Sequence, residues 1–295
     1  MASKMKPQKT ITELVDLLKS RNLTIEDDFC AQRLLSQINY YRLSGYWRKY
    51  QINPEKNDNN FAAETTFEKI YEIYELDTAL RNLLHKGLGI FEICFRSKFA
   101  YHFAHSAENG QLLYLQQKSY DNSKVSENEK PSELLEKIEK ELERSKEKFI
   151  LHFKKKGEKI PVWAAVEVLS FGAVSKMYSR LTNKDGVKNV YQEFETFAKL
   201  KKYKRVVPII HSLVHLRNLC AHQARIWNRR LIFQVPERDD LQAFGKSEER
   251  AQWRIISILM LLIDEINQNK EYSSEVLNLC KSNEEFYKGL IEPNL

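Results

Sequence analysis

Along most of the chain, apolar residues return every three or four positions, the spacing of one buried helical face. Thr10-Ile11-Thr12-Glu13 reads as a capping box, and Ile11, Leu14, Val15 and Leu18 behind it predict a helix to about Arg21. A second helix starts near Glu26 and carries Phe29, Leu34, Leu35 and Ile38. After a polar loop over Asn53 to Asn60, Thr65-Thr66-Phe67-Glu68 reads as another capping box. It opens a long pattern through Ile70, Ile73, Leu76, Leu80 and Leu84, which Gly87 and Gly89 are expected to break or bend before it continues from Ile90 to His105. Further helices are predicted over Pro131 to Phe149, through the apolar run after Pro161, over Asp185 to Leu200, Lys204 to Arg230, Ser247 to Asn267 and Ser273 to Leu290. Only Leu231 to Val235 has any strand character. The pattern predicts an all-α fold, a multi-helix bundle over residues 61–295 with a small N-terminal helical module at 1–60 and a charged helical insertion around 119–158.

Composition agrees with this class. Of 295 residues, 42% are apolar and only nine are glycine, enough apolar side chain for a core and too little glycine for many turns. The four cysteines, Cys30, Cys94, Cys220 and Cys280, form no CxxC pair, so neither a disulfide framework nor a zinc knuckle is expected. The polar start and the short apolar runs predict a cytoplasmic chain with no membrane partner.

Charge distribution says more than the net value of +7. No acidic residue lies between Glu195 and Glu237, while Lys199, Lys201, Lys202, Lys204, Arg205, Arg217, Arg225, Arg229 and Arg230 all do. Such an interval suits a phosphate backbone, or else is a solvated face balanced by acids from elsewhere. The run Asn39 to Tyr50 interleaves Tyr40, Tyr41, Tyr46 and Trp47 with Arg42, Arg48 and Lys49. It fits base stacking, but docking of the N-terminal helices is the reading preferred here, with Gly45 marking a turn. The i,i+4 pairs Asp77/Arg81 and Glu92/Arg96 read as plain helix salt bridges.

Candidate chemistry concentrates on one stretch. With Ile209 to Trp227 drawn as a single helix, Ile209, Leu213, Leu216, Cys220, Ala224 and Trp227 share an apolar arc. His211, His215, Asn218, His222 and Arg229 fall on the opposite side, with Arg225 beside them and Arg217 at the edge of the arc. The histidine face is therefore expected to meet solvent, a ligand or a partner. A metal centre on His211 and His215 lacks a third ligand and is crowded by arginines, and no GxSxG elbow is present. No metal or other cofactor is expected. Phosphodiester chemistry fits better: an imidazole moves protons at a ribose 2′-hydroxyl, an arginine neutralises charge on the phosphate, and Asn218 holds either group.

Four blocks, INYYRLSGYW (38–47), YELDTALRNLL (74–84), PVWAAVEVLSFGAVSKMY (161–178) and LRNLCAHQARIWNR (216–229), resemble in order the Abi-like (AbiD/AbiF-type) abortive-infection proteins. The resemblance implies a helical bundle of the HEPN type, with Arg217, Asn218 and His222 as catalytic residues and RNA as substrate. The family often has a second histidine where this chain has Gln223. It also implies a homodimer, in which a second His222 would complete a composite acid–base site, and for some members a small antitoxin RNA. His215 is the within-chain rival for that second role. His215, Arg225, Arg229, Lys201, Lys202, Lys204 and Arg205 are the expected RNA-binding set. The alternative is a non-catalytic RNA-binding module of a toxin–antitoxin system.

Overall fold

A computed structural model describes residues 7–124, 130, 132–182, 190–197, 206–235 and 239–294, and within them the fold is a multi-helix, all-α assembly with one two-stranded hairpin. Near the N-terminus, α1 (Ile11–Lys19) and α2 (Asp28–Gln37) pack on each other. The capping box at α1 forms as expected: Glu13 N donates to Thr10 Oγ1 (3.2 Å), and Thr10 N to Glu13 Oε2 (2.6 Å). Next comes α3 (Tyr40–Trp47). Its Tyr46 and Trp47 are buried and Tyr40 meets Trp47 edge-on, the docking arrangement, while Tyr41 stays exposed. The stretch read as a polar loop is instead an antiparallel hairpin of β1 (Gln51–Asn53) and β2 (Asp58–Phe61), pairing Gln51 with Phe61 and Asn53 with Asp58. Its polar strands carry no alternating apolar signal. The supposed strand at Leu231 to Val235 has only an isolated bridge beside it, Arg230 to Ala251.

The organising element is α4 (Phe67–Ala104), 38 residues and about 57 Å long. It packs against α3, α7, α8, α9, α10, α11, α12 and α13, so the core wraps around it. Thr66, not Thr65, caps it, accepting from Lys69 N at 3.1 Å, and Glu68 accepts instead from Glu26 N at 3.2 Å. The expected break at Gly87 and Gly89 is absent. A Cβ at Gly87 would lie 2.2 Å from Tyr272 Oη, so this glycine permits close approach of α12 (Glu271–Lys281), whereas one at Gly89 would meet nothing.

Helices α5 (Glu133–Arg144) and α6 (Lys148–Lys156) replace the single helix expected from Pro131 to Phe149. The apolar run after Pro161 splits into α7 (Val162–Val168) and α8 (Phe171–Arg180). The break comes before Gly172, at Ser170, whose N and Oγ both donate to the Glu141 carboxylate (2.7 and 2.9 Å). Then follow α9 (Val190–Phe197), α10 (Val206–Ala221) and α11 (Gln252–Asn267). Asn283 caps α13 (Glu284–Ile291), dividing it from α12 where one helix was expected. Among the described residues no helix is long and apolar enough to cross a membrane.

Candidate active site at the end of α10

Ile209, Ile210, Leu213, Leu216, Leu219 and Cys220 are buried, which seats α10 against α4, α8 and α11. The helix stops at Ala221, so the single helix expected through Trp227 is corrected here. His222 N still bonds Asn218 O (3.0 Å), but Gln223 takes a left-handed φ of 53°. Gln223 N then returns to Cys220 O (3.0 Å) and Ala224 N to Leu219 O (2.8 Å), the paired bonds of a Schellman ending with glutamine in the place glycine favours.

Tertiary contacts explain why the chain turns at a residue ill-suited to it. Buried Asp77 on α4 accepts from Ile226 N (3.2 Å), Trp227 N (3.0 Å), Tyr46 Oη (2.6 Å) and the Arg81 guanidinium. Arg81 also donates to Tyr46 Oη (3.1 Å) and to Gln223 Oε1 (3.3 Å), and Arg42 of α3 donates to Gln223 O. Burial pushes the Asp77 carboxyl up, against the opposing pull of Arg81, Tyr46 and the two amides. Trp227 is fully buried, donating Nε1 to Phe286 O (3.1 Å). Asp77/Arg81 is thus the anchor of the motif's turn rather than a surface helix pair.

The second expected surface pair is also more than that. Arg217 donates Nε to Glu92 Oε2 (3.0 Å), Nη2 to Glu92 Oε1 (3.3 Å) and Nη1 to Asn218 Oδ1 (3.1 Å). Glu92 simultaneously accepts from Arg96, whose guanidinium reaches the Val166 and Leu169 carbonyls at the end of α7. Burial pushes the Glu92 carboxyl up, but the hydrogen bonds from Arg217 and Arg96 outweigh it and hold the group below the usual carboxylate range. One carboxylate thereby orients the motif arginine, while Asn218 and His222 stand exposed beside it.

The remaining expected residues separate. His211 and His215 do not face open solvent but are partly covered. Phe233 lies 5.5 Å from the His211 ring, and the buried Nε2 of His215 has no hydrogen-bond partner. Burial lowers both imidazole pKa values, helped by Lys176 and Arg180 at His211 and by Arg229 at His215. Arg225 and Arg229 lie beyond the helix and are half-buried; Arg225 packs under α3, its Nε 3.4 Å from where a Gly45 Cβ would be. Lys201, Lys202, Lys204 and Arg205 lie outside the described residues. Burial pushes the Cys220 thiol up to about 12, so it is no nucleophile at neutral pH. Among the described residues no group of three or more His, Cys, Asp or Glu side chains could hold a metal ion.

Sequence reasoning passed over Arg42, Asp77, Arg81 and Glu92 as parts of this site. A signal for two of them was present: Asp77 and Arg81 interrupt the buried stripe that runs through Ile73, Leu80, Leu84 and Leu88. Charged residues on an inner stripe have to be partnered.

Comparison with known proteins is consistent with this geometry. No curated protein and no solved structure matches the chain. The family model described as Abi-like protein matches residues 33–228, from within α2 to the turn that closes the α10 motif. The match takes in Arg42, Tyr46, Asp77, Arg81, Glu92, Arg96 and Arg217 through Trp227, and spans well over half the chain. The chain belongs to the Abi-like protein family, whose name implies abortive infection as a defence against phage.

Proposed function

We propose that this chain is a metal-independent endoribonuclease of the HEPN type, acting as an abortive-infection effector. The observation that carries the reading is the Arg217–Asn218–His222 cluster, with the guanidinium held by Glu92 and the imidazole exposed one turn on. A fixed arginine is prepared to neutralise charge that builds on a phosphate during attack, without reorganising at that moment. The exposed His222 can exchange a proton with a ribose 2′-hydroxyl or a leaving oxygen. Attack of the 2′-oxygen on phosphorus then needs no metal-activated water.

The partners in this reading are RNA and a second copy of the chain. Ile93, the neighbour of Glu92, is 71% exposed, an uncovered apolar side chain next to the carboxylate that holds Arg217 and available to such a copy. A small antitoxin RNA enters only through the resemblance.

The test is cleavage of a defined RNA by the purified chain in EDTA, with and without His222→Ala. The reading expects cleavage in EDTA, loss of it in the variant, and protection of a bond whose nucleotide carries a single 2′-deoxy substitution. Cleavage of an all-DNA strand at a similar rate overturns the mechanism. Salt-sensitive RNA binding without turnover, surviving His222→Ala, would favour the non-catalytic module instead.

A further inference from the structure

The aromatic and basic run from Asn39 to Tyr50 has two faces in the folded chain. Its inner face docks, with Leu43, Tyr46 and Trp47 buried. Its outer face walls a cleft of about 720 Å³ between α1, α3 and the β1–β2 hairpin, inside the range of about 300–1,000 Å³ found for pockets that hold organic ligands. Tyr41, Ser44 and Arg48, at i, i+3 and i+7, line that wall from one side of the helix. Tyr41 meets Tyr40 edge-on at 5.8 Å, and Tyr40 meets Trp47 at 4.9 Å, so the outer ring stands on a braced floor. At 70% exposed, Tyr41 keeps a ring face open.

Charge decides which ligand suits the cleft. Lys9, Arg21 and Arg48 line it, and none of the described residues lining it carries a carboxylate. Two of the cations are held in place: Arg21 donates to Tyr40 Oη (3.2 Å), and Arg48 to Glu55 Oε1 outside the lining (2.8 Å). Cations beside an open aromatic face match a single nucleic-acid strand, whose phosphates meet the charges and whose unpaired bases stack on the ring. A duplex, with its bases already stacked, could use only the charges. The cleft also adjoins the α10 site through one helix. Tyr41 lines the cleft, and Arg42, the next residue, donates to Gln223 O in the turn that follows His222.

We propose that this cleft is a binding site for single-stranded RNA. Unpaired bases that flank the cut bond stack on Tyr41, and Lys9, Arg21 and Arg48 meet their phosphates. The role as a flanking subsite rests on the ribonuclease reading of the α10 site, whereas strand binding in the cleft is measurable without turnover. The run from Asn39 to Tyr50 then does both things its composition suits, docking with one face and stacking with the other.

The experiment measures binding of a fluorescent oligouridine of about 12 nucleotides to the full chain carrying His222→Ala, so that binding is read apart from cleavage. Adding Tyr41→Ala should weaken binding about 10-fold, and Tyr41→Trp in its place should restore it. Phe29→Ala, which removes an exposed ring of α2 outside the cleft, should leave binding unchanged. With His222 intact, Tyr41→Ala should raise KM for the same strand by more than it lowers kcat. Binding indifferent to Tyr41→Ala overturns the proposal, as does an equal loss in Phe29→Ala. So does competition by uridine monophosphate or an RNA duplex as effective as that of the strand itself. Tyr41-dependent binding by a wild-type chain that cleaves no RNA removes the ribonuclease reading and leaves the cleft as a strand-binding site. Cleavage that needs His222, with binding indifferent to Tyr41, does the reverse.

Discussion

Arg217 rests on Glu92 with two nitrogens, Nε 3.0 Å from one carboxylate oxygen and Nη2 3.3 Å from the other. The planar fork is therefore fixed from below by a residue 125 positions earlier, and only the edge toward Asn218 is left for a ligand. Glu92→Gln keeps the shape and removes the charge. It should cost about 1–3 kcal/mol at neutral pH, the worth of hydrogen bonds to a charged group, and lower any RNA-cleaving rate without abolishing the fold. Because Glu92 titrates below its usual range when folded, its stabilisation is fully present above the ordinary glutamate value and is lost as pH falls through the lower, folded one. Urea unfolding of both proteins at neutral and acid pH checks this: the gap should close on the acid side. A gap independent of pH would contradict it.

Asp77 accepts from two backbone amides, a tyrosine and an arginine, all in the core. Asp77→Ala leaves Arg81 buried without its counter-charge and frees the turn after α10. A loss of about 3–5 kcal/mol is expected, the range for breaking a buried pair from one side. Equilibrium unfolding measures it, and a loss under 1 kcal/mol would mean the turn is held by Trp227 packing alone.

The two glycines of α4 should respond with opposite signs. Gly87→Ala drives a Cβ to 2.2 Å from Tyr272 Oη and should destabilise by about 1–3 kcal/mol through overpacking. Gly89→Ala meets nothing and should gain up to about 1 kcal/mol of helix propensity. Thermal midpoints of the two variants decide it.

His215 and His211 are disfavoured as cations in the folded chain, by burial and then by nearby Arg229 at the first and Lys176 and Arg180 at the second. A lowered histidine pKa gives stability that is complete above the ordinary imidazole value and is lost as pH falls below it. The wild type should therefore weaken as pH falls below about 6.5, and His215→Met should flatten that slope. An identical slope in the variant would show that the burial of His215 has no consequence for folding.

Local chemistry made much of this protein readable without coordinates. The capping box at Thr10 and the apolar stripe of α4 depend on neighbours within a turn or two, and each stands in the structure where the residues alone put it. What residues 3 or 4 apart can express, a sequence displays. The end of α10 could not be read that way. Gln223 has no intrinsic preference for a left-handed turn there, and Asp77, Arg81 and Arg42 impose one from 142 or more positions away, Arg81 and Arg42 through Gln223 itself and Asp77 through the amides of Ile226 and Trp227. The hairpin over residues 51–61 was hidden for a related reason, its polar strands paired by backbone bonds that leave no apolar signature. The pairs Asp77/Arg81 and Glu92/Arg96 have the same i,i+4 spacing as any exposed helix salt bridge, and only the packing of α10 against α4 decided that both support the site. Periodicity shows which face of a helix is buried. Which other helix buries it, and so which charge meets which, is a property of the folded chain.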